Sequence, residues 1–134
     1  MIHILKLGVI VVCFVCILVF MKGIIFVSSF WTSVLSFGKA DAITIFPFIV
    51  LRREVFKDNV LLLNHERIHL IQALELLIIF FYFLYLLEFL VRYIQLKDFG
   101  KAYRRISFES EAFANQSNMR YIKERKFWGF LKYM

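Results

Sequence analysis

Asp58-Asn59-Val60-Leu61-Leu62-Leu63-Asn64-His65-Glu66-Arg67-Ile68-His69-Leu70-Ile71-Gln72-Ala73 is the stretch on which the rest of the chain turns. Asp58-Asn59 suits a helix N-cap, and neither Gly nor Pro occurs from there to Gln95, so one long helix over 59–95 is expected. Its first part, 60–72, is amphipathic. On a helix, His65 and His69 lie one turn apart on one face, where two imidazoles can grip one cation. Glu66 stands beside them, the residue type that polarises water at such a cation and carries its proton. Zinc suits imidazole and carboxylate donors, and a catalytic zinc takes three protein ligands and a water. Two of the chain's three histidines fall in this motif.

Downstream, residues 73–94 are a run of Leu, Ile, Phe and Tyr broken only by Glu75, Glu88 and Arg92. At a rise of about 1.5 Å per residue this run is long enough to cross a bilayer. Upstream, residues 4–27 form a second apolar run, read as an uncleaved membrane anchor helix, because Val27-Ser28-Ser29 matches a signal-peptidase site poorly. Cys13 and Cys16 sit inside it as small packing residues, since a thiolate is costly in hydrocarbon. The whole chain has 134 residues, of which 61% are hydrophobic. Soluble domains are roughly 45–50% apolar, and a domain this small buries only part of what it carries. The excess points to membrane lipid as a partner. The formal net charge of +7 comes mostly from the last third. There the basic residues fit cytoplasmic flanks of a membrane helix and contacts to anionic lipid. No nucleic-acid module is recognisable, and no nucleic-acid partner is expected.

Between the two apolar runs, residues 42–57 read as an extended segment, rich in β-branched and aromatic residues, with Pro47 confining it to a sheet edge or a bend. Beyond the second run, 97–105 is a basic connector. Ser107 then opens a helix over 107–125. This helix must supply the third ligand, and Glu109 and Glu111 are the candidates. Two residues apart, they point to largely different faces, so one of them at most binds. Glu111-Ala112-Phe113-Ala114-Asn115 resembles the E-A-x-x-D pattern of the gluzincin metallopeptidases, in which HExxH is followed by a glutamate ligand on a later helix. The resemblance covers about 15 residues and implies zinc held by His65, His69 and Glu111, with Glu66 as catalytic base. It implies that Asn115, which replaces the family's aspartate, accepts a hydrogen bond from a histidine ligand, and leaves Glu109 as the alternative ligand. Gln72, one turn past His69, lies near the ligand face. The HERIHL and FExEA motifs are also similar to those of small bacterial membrane proteins of unknown function, which implies a place in the bacterial inner membrane.

Distance sets a constraint on this reading. A straight span over 73–94 would put the histidines and Glu111 on opposite sides of a bilayer, and the twelve residues 95–106 reach at most about 40 Å when fully extended. Bare extended backbone is excluded from lipid. Either the long helix bends into a hairpin, or it lies shallowly in the interface, or Glu111 is not a ligand. A bent or shallow arrangement with the site at the cytoplasmic interface is expected. The fold class expected is a mainly α membrane protein forming one membrane-associated domain. The function expected is a zinc metallopeptidase acting on a peptide or membrane-protein substrate. The alternative is a non-catalytic membrane adaptor or subunit in which the His/Glu cluster is structural.

Overall fold

The computed structural model describes residues 22–134, so most of the expected anchor helix, with Cys13 and Cys16, lies outside the described residues. Lys22 is helical, and from Gly23 on the described part of that segment is not. Ile24–Val27 is a strand, β1, and Gly23 turns the chain into it with φ of +76°. A Cβ at Gly23 would come within 2.7 Å of the Ile49 side chain, so this close approach also requires glycine. Ile25 and Val27 then pack on a core of Ile49, Leu51, Leu63 and Leu70. Alternate β-branched residues with one buried face favour a strand over a helix here.

Helix α1 (Ser29–Leu35) follows, capped by Ser28, whose hydroxyl accepts the Trp31 amide. Strands β2 (Ala42–Ile45) and β3 (Phe48–Leu51) come next. The expected extended segment over 42–57 is therefore a hairpin followed by a turn. It folds back at Phe46-Pro47 because proline has no amide hydrogen to continue a ladder, and Glu54–Asp58 is a 3₁₀ turn. β3 is the central strand, parallel to β1 and antiparallel to β2. β2 is thus an edge, whereas β3, from the same expected segment, is central, and Pro47 sits in the bend between them.

Helix α2 (Val60–Glu75) starts at Asn59, whose side chain accepts the Leu62 amide. The single helix expected over 59–95 is broken at 76–78, and α3 (Ile79–Leu96) turns back from the break. Leu77 and Ile78 both adopt positive φ, and the Ile78 amide closes onto the Ala73 carbonyl at 2.6 Å. No helix-breaking residue marks the site. Tertiary packing makes the break, because it lets Phe81, Tyr82, Tyr85 and Phe89 join Ala73, Ile106 and Phe108 in a second apolar core. Among the described residues, α3 is the one helix long and apolar enough to cross a membrane. Its outer face is an unbroken apolar stripe that includes Ile79, Phe80, Phe83, Leu87, Leu90 and Ile94.

The basic connector contains a short helix, α4 (Phe99–Arg104), capped by Asp98. Helix α5 (Ser107–Asn115) ends ten residues before the expected 125, and α6 (Tyr121–Glu124) is a separate turn. Ser107 is not the cap itself. It is the first helical residue, and Glu88 of α3 does the capping, accepting the Ser107 amide at 2.9 Å and its hydroxyl at 2.6 Å. The chain closes with a 3₁₀ turn over Gly129–Tyr133 against α5. The described fold is mainly helical with a small three-stranded sheet.

Candidate metal centre

α2 and α5 lie side by side and run antiparallel, and two amides of α2 fix their register. Near the start of α2, the Asn64 side-chain amide donates to the Gln116 carbonyl at 2.8 Å, at the end of α5. Near its end, the Gln72 amide donates to the Phe108 carbonyl at 3.1 Å, at the start of α5. Between these two pins, one turn apart on α2, stand His65 and His69. Glu109 of α5 faces them.

The donor atoms converge. The two Nε2 atoms are 3.1 Å apart; His65 Nε2 is 3.2 Å from Glu109 Oε2, and His69 Nε2 is 3.2 Å from Glu109 Oε1. Ligands about 2.0–2.1 Å from a tetrahedral zinc lie roughly 3.3 Å from one another. The three side chains form a group that can hold a metal ion. All are buried, with exposures of 4%, 5% and 2% for His65, His69 and Glu109.

The tautomer of His69 follows from its neighbour. Gln72 donates through Nε2 to Phe108 and Glu111, so its Oε1, 2.7 Å from His69 Nδ1, is an acceptor. Nδ1 therefore carries the hydrogen, and the Nε2 lone pair of the neutral ring points at the shared centre. His65 lacks such support. Its Nδ1 has no hydrogen-bond partner among the described residues, and its ring is held by edge contact with Phe113 at 4.6 Å between centroids.

The charges are strongly coupled. Burial pulls the His69 pKa down, but the charge of Glu109 and its hydrogen bond, with help from Glu66 and Gln72, override this and raise it to about 9. Burial would raise Glu109, yet the charge of His69 and the hydrogen bonds from both imidazoles hold its carboxyl well below the usual range. The Tyr85 hydroxyl donates to Glu109 Oε1 at 2.6 Å. Tyr103 also faces Glu109; burial first, then that negative charge, pushes its phenol far up, so it stays protonated. Glu66 is buried as well, its Oε2 accepting the Thr44 hydroxyl at 2.7 Å.

Glu111, expected as the third ligand, is placed elsewhere. Its carboxylate takes a two-pronged hydrogen bond from Arg125, at 2.6 Å from Nε and 3.1 Å from Nη2, together with the Tyr121 hydroxyl and the Gln72 amide, each at 2.7 Å. Arg125 also pairs with Glu75. A Cβ at Gly129 would fall 2.5 Å from Glu111 Oε1, so the closing turn needs glycine to pack there. Two residues on a helix differ by about 200°, which is why Glu109 faces the histidines while Glu111 faces the C-terminal segment. Asn115, expected beside an imidazole, shares the Glu111 side and donates to the Glu111 carbonyl at 2.7 Å and the Tyr133 hydroxyl at 2.9 Å. Gln72 lies where the helix spacing put it.

Sequence reasoning missed Thr44, Tyr85, Tyr103 and Arg125. Tyr85 carried a signal: a hydroxyl in the middle of an apolar run needs a buried partner. The other three became legible only through the fold. No family model matches this chain, and neither does any curated protein or solved structure.

Proposed function

We propose that this chain is a membrane-associated zinc metallopeptidase of gluzincin-like design, with Glu109 in place of Glu111 as the third ligand. One observation carries the reading. Two imidazole Nε2 atoms and a carboxylate converge at 3.1–3.2 Å, with the glutamate of the same HExxH motif beside them. Zinc bound by His65, His69 and Glu109 would supply a Lewis acid that polarises a scissile carbonyl and acidifies water. Glu66 takes the proton of the attacking water and returns it to the departing amine. Thr44 holds the Glu66 carboxylate in orientation, and Tyr85 and Gln72 do the same for Glu109 and His69. An extended peptide aligns along the outer edge of β2, the strand that carries Thr44.

The apolar outer face of α3 supports lipid as the surrounding phase on that side, and the basic surplus fits the cytoplasmic leaflet of a bacterial inner membrane. The inner face of α3 packs on the site, so lipid covers only one side of this helix. The near-complete burial of the three ligands favours a second reading, a structural metal site in a non-catalytic adaptor. Elemental analysis of detergent-purified protein separates the readings when paired with a protease assay. One zinc per chain, lost in His69→Ala but kept in an inactive Glu66→Gln, supports the peptidase. Zinc with no proteolysis that depends on Glu66 supports the adaptor, and no zinc in metal-replete wild type overturns both.

A further inference from the structure

The free edge of β2 is already occupied. The Asp41 carbonyl accepts from the Arg52 amide, so the narrow pairs of the hairpin are 41–52, 43–50 and 45–48. Thr44 and Phe46 consequently aim their backbone groups away from β3, outward. Both groups are taken by one side chain of α3: the Phe46 amide donates to the Tyr82 hydroxyl at 2.8 Å, and that hydroxyl lies 3.3 Å from the Thr44 carbonyl, placed to donate to it. A strand added to β2 opposite Ile45, parallel or antiparallel, would use this same carbonyl and this same amide. The Tyr82 hydroxyl thus does the work of one peptide unit of an added strand.

The neighbours of Tyr82 on α3 close the metal site from the same side. The Phe81 ring lies 6.2 Å from that of His69, and Tyr85 binds Glu109. The helix that carries all three begins at a strained joint. Ile78 has φ 62° and ψ −63°, and the Ile79 amide donates to the Leu77 carbonyl at 2.7 Å. That is a classic-type γ-turn centred on a β-branched residue, and Leu77 before it also has positive φ, at 53°. Strain of this kind persists only where surrounding contacts impose it, and it clusters at switch regions.

We infer that α3 is a gate hinged at Leu77-Ile78, and that Tyr82 is its latch, holding the β2 edge shut until an extended polypeptide displaces it. The inference rests on the metallopeptidase reading and adds a closed state to it. The displacing segment is polypeptide because an extended backbone offers both an amide and a carbonyl at that spacing and can continue the pairing along β2. It arrives at the side of the molecule where α3 presents its apolar face.

The test uses the full chain in detergent micelles, loaded with zinc, and follows zinc loss to excess EDTA. Release from a site this buried requires opening. Tyr82→Phe keeps the ring and removes the hydroxyl; it is expected to hold the same zinc per chain and release it at least about five-fold faster, since even one of its two hydrogen bonds is worth that factor. Ile78→Gly relieves the positive φ that closure imposes, and is expected to slow release several-fold. Cleavage of fluorescein-labelled casein should move with the release rate. Wild-type release rates in both variants, with zinc content intact, overturn the gate and leave the metal site standing. A wild type that binds no zinc overturns the metal reading and the gate with it. If Tyr82→Phe fails to fold, the direction of the Ile78→Gly effect decides.

Discussion

Replacing Gln72 by leucine cuts the link between the metal centre and the C-terminal segment. Gln72 is fully buried and serves three groups: it accepts from His69 Nδ1 at 2.7 Å, and donates to the Phe108 carbonyl at 3.1 Å and to Glu111 at 2.7 Å. Each partner left unpaired costs about 1–3 kcal/mol. His69 Nδ1 would be stranded, while the Phe108 carbonyl keeps its helical bond from the Ala112 amide and Glu111 keeps Arg125 and Tyr121. The expected loss of stability is about 1–3 kcal/mol, a sizeable share of the 5–15 kcal/mol typical of a domain. Zinc affinity should fall about 10- to 100-fold, the usual effect of removing a histidine's outer partner. Gln72→Glu separates the two effects. It keeps an acceptor for His69 but sets a second carboxylate against Glu111, so stability should fall while zinc affinity is kept. Competition titration with a fluorescent zinc chelator reads affinity, and thermal melting reads stability. Gln72→Leu with wild-type zinc affinity would refute the claim that this amide orients His69.

The two glutamates of the FExE motif should behave oppositely. Glu109→Gln is expected to abolish zinc binding while the protein stays folded, whereas Glu111→Gln should keep zinc and lose about 1.5–3 kcal/mol of stability, because Arg125 loses its two-pronged carboxylate partner and keeps only Glu75; zinc content and melting of the two variants check this. The raised pKa of His69 gives a signed pH dependence. Its contribution to the stability of zinc-free protein is full below pH 6.5 and is lost as pH rises through about 9, so the melting temperature should fall across that window. Zinc affinity should rise over the same range, since the metal displaces the proton, and titration of the protein at fixed chelator tests it. On the outer face of α3, Phe83→Lys with Leu87→Glu should leave melting nearly unchanged, because both residues are exposed, yet weaken flotation with liposomes, with the apolar run at 4–27 as the remaining attachment. Undiminished flotation would mean that this face is not what lipid holds.

The physical reason for each correction is visible in particular residues. The HExxH spacing was a local property of one helix, and the structure brings His65 and His69 together as the 3.6-residue repeat requires. The cap at Asn59 and the bend at Pro47 are equally local. The end of the helix at Glu75 is not local. Nothing between Asn59 and Gln95 forbids continuation, and the break forms because the returning α3 buries Phe81 and lets Tyr82 and Tyr85 find polar partners. Ile24–Val27 has a composition that suits lipid or strand alike, and the unpaired edge of β3 made it a strand.

The choice between Glu109 and Glu111 shows where the sequence stops. Both carboxylates were present at workable spacing, and the sequence by itself determined that α5 would carry a glutamate for the histidines of α2, alongside an apolar surplus that asks for lipid. Which glutamate served was decided by the rotation of α5 about its axis. That rotation is set by Asn64 and Gln72 gripping its two ends, and by Arg125, far along the chain, drawing Glu111 to the opposite side. A motif records which groups are available. Only the packed structure fixes which of them faces the histidines, because the 200° between neighbouring candidates is settled by contacts that no local pattern contains.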